Sequence, residues 1–147
     1  RHICIIACLA VAAFAARAQT RATIPVMTRL VKLHLEAEMK LANAIDANDR
    51  AALEKMLAET FELREGGEVG RPLPRADFLA RVTQAPAASR TISRMAAHDH
   101  GAVRVVSFEV EENIGGDARR KMIVDVWSSD EDAPKLLTRY EAAIPAR

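Results

Sequence analysis

Glu65, His34 and Tyr140 are the side chains of this 147-residue chain that combine proton chemistry with apolar surroundings. In "TFELREGGEVG" the hydrophobic period is two, so Phe61, Leu63 and Glu65 share one face of a short strand. A carboxylate held against an apolar pocket keeps its proton to higher pH and can act as an acid or base near neutrality. The Gly66-Gly67 turn that follows offers the competing reading of a solvated turn carboxylate. His34 falls on the apolar stripe of a helix, where it either lines a cavity as an acid or base or sits at the core edge bonded to a carbonyl. Tyr140, the sole tyrosine, shares a strand face with Thr138 and Leu136 and offers either a pocket hydroxyl or a wall whose hydroxyl reaches solvent.

"MAAHDHGAV" places His98 and His100 around Asp99. On a strand the two imidazoles point the same way, but a usable metal site needs a third ligand, and Asp99 lies on the opposite face. Asp99-His100-Gly101 reads instead as the tight connection between two strands. No nucleophile elbow, phosphate-cradling glycine loop or zinc helix motif occurs in the sequence. Neither a metal nor a cofactor is therefore expected.

The elements that must position these residues follow from periodicity. From about 26 to 45, Met27, Leu30, His34, Ala37, Leu41, Ala44 and Ile45 fall on one helical stripe. The pattern breaks at Asn48, and Asp49 is suited to cap a second helix carrying Ala52, Leu53, Met56 and Leu57. Pro74 fits the first turn of a third helix with Phe78, Leu79 and Val82 on its apolar side, and Pro86 lies just beyond its end. Strands are expected over about 89–97, 102–112, 119–128 and 135–143, separated by "HDHG", "IGGDA" and "SSDEDAP". In "KMIVDVW" the uniformly apolar face of Met122, Val124 and Val126 is expected to look inward. Ile123, Asp125 and Trp127 then look outward, and an exposed indole suggests a subunit contact. Helices first and antiparallel strands afterwards make an α+β arrangement, with a sheet curling around the helices.

"RHICIIACLAVAAFAARAQT" has the basic start, apolar run and small-x-small end of a secretory signal peptide, with cleavage expected after Ala18. The apolar run is short for a membrane span. It also continues past Cys8, which argues against a lipid anchor there. Both cysteines, Cys4 and Cys8, lie in this segment, leaving no thiol chemistry downstream. Without Arg1 and Arg17 the balance is 19 basic against 20 acidic residues, a formal charge of −1. With few aromatics and no basic stripe, nucleic acid is not an expected partner. The expected address is periplasmic or secreted, with one domain over residues 26–145.

The order "LANAIDANDRAALEKMLAETFELREGGEVG", a third helix, "GAVRVVSFEV" and "KMIVDVW...KLLTRYEAA" resembles the nuclear transport factor 2-like superfamily, particularly its domain of unknown function 4440 branch, over about Leu30 to Ala143. The resemblance implies a cone-shaped roll: a long helix and two shorter ones packed on a curved, mainly antiparallel sheet around an apolar pocket, often paired through the sheet. Combined with the strand faces, it places Leu41, Phe61, Leu63, Met122, Val124, Val126 and Thr138 around that pocket, and Ile123, Asp125 and Trp127 on the dimer face. Some members are isomerases, dehydratases, cyclases or epoxide hydrolases, and others only bind ligands or partners. Steroid isomerases need a carboxylate base and an oxyanion hole of a tyrosine and a protonated aspartate. Here Glu65 stands at the base position, but Leu41 and Met122 stand at the other two. The resulting expectation is an exported homodimer that binds a small apolar molecule in its cone cavity. Two alternatives stay open: a metal-free lyase, isomerase or hydrolase using Glu65 with His34 or Tyr140, and a non-catalytic dimeric interaction module.

Overall fold

The computed structural model describes residues 27–66, 71–130 and 132–145. The signal-peptide and Cys8 readings, and Gly67 of the expected turn, lie outside the described residues. Helix α1 (Arg29–Asp46) opens where the Thr28 hydroxyl accepts from the Val31 amide at 3.2 Å. It buries one stripe: His34, Ala37, Glu38, Leu41 and Ala44. The expected break is made by Asn48 at φ +51°, a conformation that asparagine tolerates better than most residues. Asp49 then accepts from the Ala52 amide at 3.0 Å and starts α2 (Arg50–Met56).

Strand β1 (Leu57–Glu65) follows directly, then the short β2 (Leu73–Pro74) and α3 (Arg75–Val82). Pro74 therefore sits one residue before the helix rather than in its first turn, because it also serves a β2–β1 pairing that periodicity did not reveal. Strands β3 (Ser89–Asp99), β4 (Val103–Ile114), β5 (Asp117–Ser128) and β6 (Leu136–Ala143) lie where the turn signals put them. The sheet has six strands in the order β2-β1-β6-β5-β4-β3 and is not closed. Its pairing is antiparallel except between β1 and β6. The three helices supply a shared core with one sheet face, containing Leu41, Leu53, Phe61, Phe78, Leu79, Phe108, Ile123 and Trp127.

The facing of β5 is the reverse of the expectation. Ile123, Asp125 and Trp127 are buried, whereas Met122 is 38% exposed and Val124 and Val126 are only half-buried. The helices cover a single face of the sheet, and Trp127 needs interior volume that the outer face lacks. The charge of Asp125 is met inside by a partner on β6. Along β6 an irregularity near Trp127 and Leu136 breaks strict alternation. Leu136 therefore turns inward while Thr138 and Tyr140 join the outer face, Tyr140 being 45% exposed.

This facing is testable by denaturation. Ile123→Ala should lower the unfolding free energy by about 2–5 kcal/mol in urea, as expected for a truncated core aliphatic side chain. A loss below about 0.5 kcal/mol would instead match a surface position and return β5 to the opposite facing.

Candidate functional site

Asp125 on β5 and Arg139 on β6 are direct cross-strand partners, so both side chains leave the sheet on the helix-covered face. Arg139 Nε donates to Asp125 Oδ1 at 2.9 Å and Oδ2 at 3.2 Å, and its Nη2 donates to Oδ2 at 2.5 Å. The same Nη2 donates to Glu38 Oε2 of α1 at 2.9 Å, while Trp127 Nε1 donates to Glu38 Oε1 at 2.9 Å. One guanidinium thus faces two carboxyls, with Glu38 only 2% exposed and Asp125 wholly buried.

Two buried carboxylates against one cation leave an uncompensated charge, which a proton removes at lower cost than burial. Burial first, then the charge of Asp125, push the Glu38 carboxyl well above the usual carboxylate range, with Arg139 pulling the other way. A hydrogen bond between the carboxyls of Glu38 and Asp125 adds to the upward push on Glu38. Burial alone would weaken the hold of Arg139 on its proton, but Asp125 and then Glu38 keep its pKa above the ordinary arginine value.

Glu38 and Arg139 form the most buried polar part of a cavity of about 190 Å³. Its walls are apolar: Ala42 and Ile45 of α1, Leu63 of β1, Phe78 and Val82 of α3, and Ile92, Phe108, Val110 and Ile123 of the long strands. Its mouth carries ion pairs. Arg81 Nη1 meets Glu65 Oε1 at 2.8 Å, and Arg90 Nε meets Glu112 Oε1 at 2.9 Å while also pairing with Asp46. Lys121 Nζ reaches Glu112 Oε2 at 3.0 Å and Glu141 Oε2 at 3.2 Å. Burial would raise the Glu112 carboxyl, but the bonds and charges of Lys121 and Arg90 hold it below the usual range.

The residues singled out in the sequence do not converge. Glu65 lines the mouth, largely solvated and paired with Arg81, so the two readings of it meet halfway. His34 is fully buried one turn before Glu38 and does not line the cavity. Its ring nitrogens have no hydrogen-bond partner among the described residues, and its ring centroid lies 6.1 Å from that of Trp127. Burial, and secondarily the charge of Arg104, lower the pKa of His34, with Asp125 partly offsetting them. Tyr140 stands on the outer sheet face, away from both.

Of the expected pocket wall, Leu63 lines the cavity, whereas Leu41 and Phe61 are spent in the core, Phe61 against Phe78 with ring centroids 4.9 Å apart. Met122, Val124, Val126 and Thr138 are corrected to the outer face, because they alternate with the inward side chains of Ile123, Asp125 and Trp127 on β5 and Arg139 on β6. The same alternation removes Ile123, Asp125 and Trp127 from any dimer face. His98 is the penultimate residue of β3 and Asp99 its last, and Asp99 Oδ1 accepts from the Gly101 amide at 2.8 Å at the start of the β3–β4 turn. Among the described residues, no group of three His, Cys, Asp or Glu side chains is placed to hold a metal ion. Glu38 and Arg139 are the residues that sequence reasoning missed, although Glu38 stands four residues after His34 on the buried stripe.

The proton on Glu38 has a consequence for stability. Its carboxyl binds a proton more tightly when folded than when unfolded, so its contribution is complete at low pH and is lost as pH rises above the ordinary value of 4.5 towards the folded one. Chemical denaturation across pH should therefore show wild type losing stability relative to Glu38→Gln in that direction. A constant difference between the two would mean that Glu38 is ionised throughout.

No family model and no curated protein matches the chain. Solved structures do match. An NTF2-like protein from Cytophaga hutchinsonii is 20% identical, with a TM-score of 0.68 over 80% of this chain and 100% of that one. The CaMKII hub of S. rosetta is 18% identical, with a TM-score of 0.66 over 77% and 95% of the two chains. An NTF2-like protein of unknown function in nutrient uptake from Rhodospirillum rubrum is 19% identical, with a TM-score of 0.63 over 76% and 98%. The three helices and the open six-stranded sheet on which they pack are thus those of the nuclear transport factor 2-like α+β cone fold.

Proposed function

We propose that the chain is an exported protein of the domain of unknown function 4440 branch that holds a small, mainly apolar molecule in its cone cavity. The observation that carries this reading is the cavity itself: apolar side chains from α1, α3 and the sheet surround a space of about 190 Å³ with one polar end. Small-molecule sites have this composition, an apolar lining with a few placed polar groups. A dry cavity of about 150 Å³ accommodates benzene, so a body of one ring fits the scale. Export rests on the layout of residues 1–18.

Trp127 is the only tryptophan, and its indole is bonded to the cavity residue Glu38. Titration with toluene should therefore change its fluorescence saturably, and Phe108→Trp, which fills the cavity, should abolish the effect on binding measured by calorimetry. Absence of any heat or fluorescence change in the wild-type protein would sink the reading.

A specific observation also favours an enzyme. Burial pushes the Glu38 carboxyl well above the usual carboxylate range at an apolar cavity wall, the direction a general acid needs, so the residues of a lyase, isomerase or hydrolase reaction would be Glu38 and Arg139 rather than Glu65, His34 and Tyr140.

We further propose a homodimer through the outer sheet face. Val105, Val124 and Val126 are adjacent across β4 and β5, and Tyr140 pairs with Val124, giving a continuous apolar surface that none of the described helices covers. Light scattering should give twice the chain mass for wild type and the single mass for Val124→Asp. A wild-type monomer at micromolar concentration would count against the pairing.

A further inference from the structure

The floor of the cavity presents a donor that the protein leaves unused. Arg139 spends Nε and Nη2 on Asp125 and Glu38, and among the described residues Nη1 takes part in no hydrogen bond. Nη1 is also absent from the polar atoms sealed off without a partner, although the side chain is only 8% exposed. Arg139 lines the cavity, so its reachable edge is the one offered there. The three bonds to Asp125 hold the guanidinium plane in place, so little order remains to be lost when a ligand docks.

We infer that the cavity is a seat for a small monocarboxylate, with its oxygens accepting from Arg139 Nη1 and its apolar body against Phe108, Val110 and Ile92. The inference rests on the reading of the cavity as a ligand site and names the class of ligand. A guanidinium is a planar donor with no acceptor, so it selects an acceptor group and excludes amines. The apolar walls disfavour phosphate or sulfate, which bring more charge and no apolar surface.

A bound carboxylate can be accommodated because the floor holds a proton. With Glu38 protonated, Arg139 and Asp125 balance, and an added anion meets a neutral cluster. With Glu38 ionised, the cluster is already negative and repels it. The groups facing Glu38 are Asp125 and Trp127 on β5 and Arg139 on β6, with His34 one turn away on α1. Arg104 on β4 faces His34, while Lys121, Glu112 and Glu141 occupy the mouth. His34 is held neutral by burial and adds no charge as pH rises above its ordinary value. Affinity for the anion should accordingly fall with rising pH as Glu38 loses its proton.

Benzoate and benzyl alcohol, which share a ring and differ in the charged group, separate the claims when titrated by calorimetry into the full chain. The expected result is benzoate binding at least tenfold tighter at pH 6, with affinity declining as pH rises through the titration of Glu38. Glu38→Gln should bind benzoate with a flat profile above pH 6. A profile that still falls in this variant would show that the neutral acid is bound, and would overturn the inference. Arg139→Lys, which keeps the charge but lacks Nη1, should lose the preference for benzoate while circular dichroism confirms folding. Should that variant unfold, the Glu38→Gln profile and the ratio of the two ligands in wild type still decide. Equal affinity for both ligands overturns the carboxylate seat and leaves the apolar cavity standing, whereas no binding of either overturns both.

Discussion

One guanidinium between two buried carboxyls organises this molecule. Arg139 joins β6 to β5 through Asp125 and to α1 through Glu38, so the long helix is tied to the middle of the sheet by directional bonds as well as by packing. Such a cluster adds little net stability over an apolar replacement, since desolvation offsets much of the attraction. Removing Arg139 is another matter, because it would leave both carboxyls without their cation, and an unpaired buried charge costs about 3–5 kcal/mol. The cluster therefore constrains what the neighbouring positions can be more than it strengthens the fold. It also sets the chemistry of the cavity, because the surplus carboxyl must carry a proton in an otherwise apolar space.

The mouth of the cavity is charged too, but its charges do different work. Glu65 and Arg81 are exposed enough for water and salt to screen them, and exposed pairs of this kind contribute about 0–1 kcal/mol. Glu112 is held between Arg90 and Lys121, and Lys121 in turn between Glu112 and Glu141, so each charge at the inner mouth has a partner. A matched rim neither draws in a cation nor repels an anion strongly. Selectivity falls to the floor, where a donor remains open and the dielectric is low enough for it to count.

Element order was legible because its signals are local. The Asp49 cap, the break at Asn48 and the glycine turns each act within a few residues, and the four long strands lie within a few residues of where those signals placed them. The two-residue β2 was not legible, since a strand of Leu73 and Pro74 has no periodicity to read. The site failed for a different reason. Apolarity does not set the facing of β5, because both of its sides are largely apolar, and the decisive fact is the pairing of Asp125 with a residue fourteen positions later on another strand. Glu38 was visible as an acid inside the buried stripe of α1, but its partner and its proton depend on tertiary contacts. His34, Glu65 and Tyr140 drew attention by residue type, and type alone does not bring side chains to one point.

The same alternation explains how one strand serves two surfaces. Odd positions of β5 from Ile123 to Trp127 build the cavity side, and even positions from Met122 to Val126 build the outer face. A slip of β5 by one residue against β6 would keep nearly the same amount of apolar surface inside, because Met122, Val124 and Val126 would replace Ile123, Asp125 and Trp127. Hydrophobic burial therefore discriminates weakly between the two registers. The ions discriminate strongly: the slip would leave Arg139 facing Val124 or Val126, strip Glu38 of the Trp127 donor, and take from the buried guanidinium the Asp125 oxygens that Nε and Nη2 meet, leaving Glu38 as its one carboxyl partner. On this strand the buried charges specify the register, and the apolar residues displaced to the outside are the surface left for a second copy to cover.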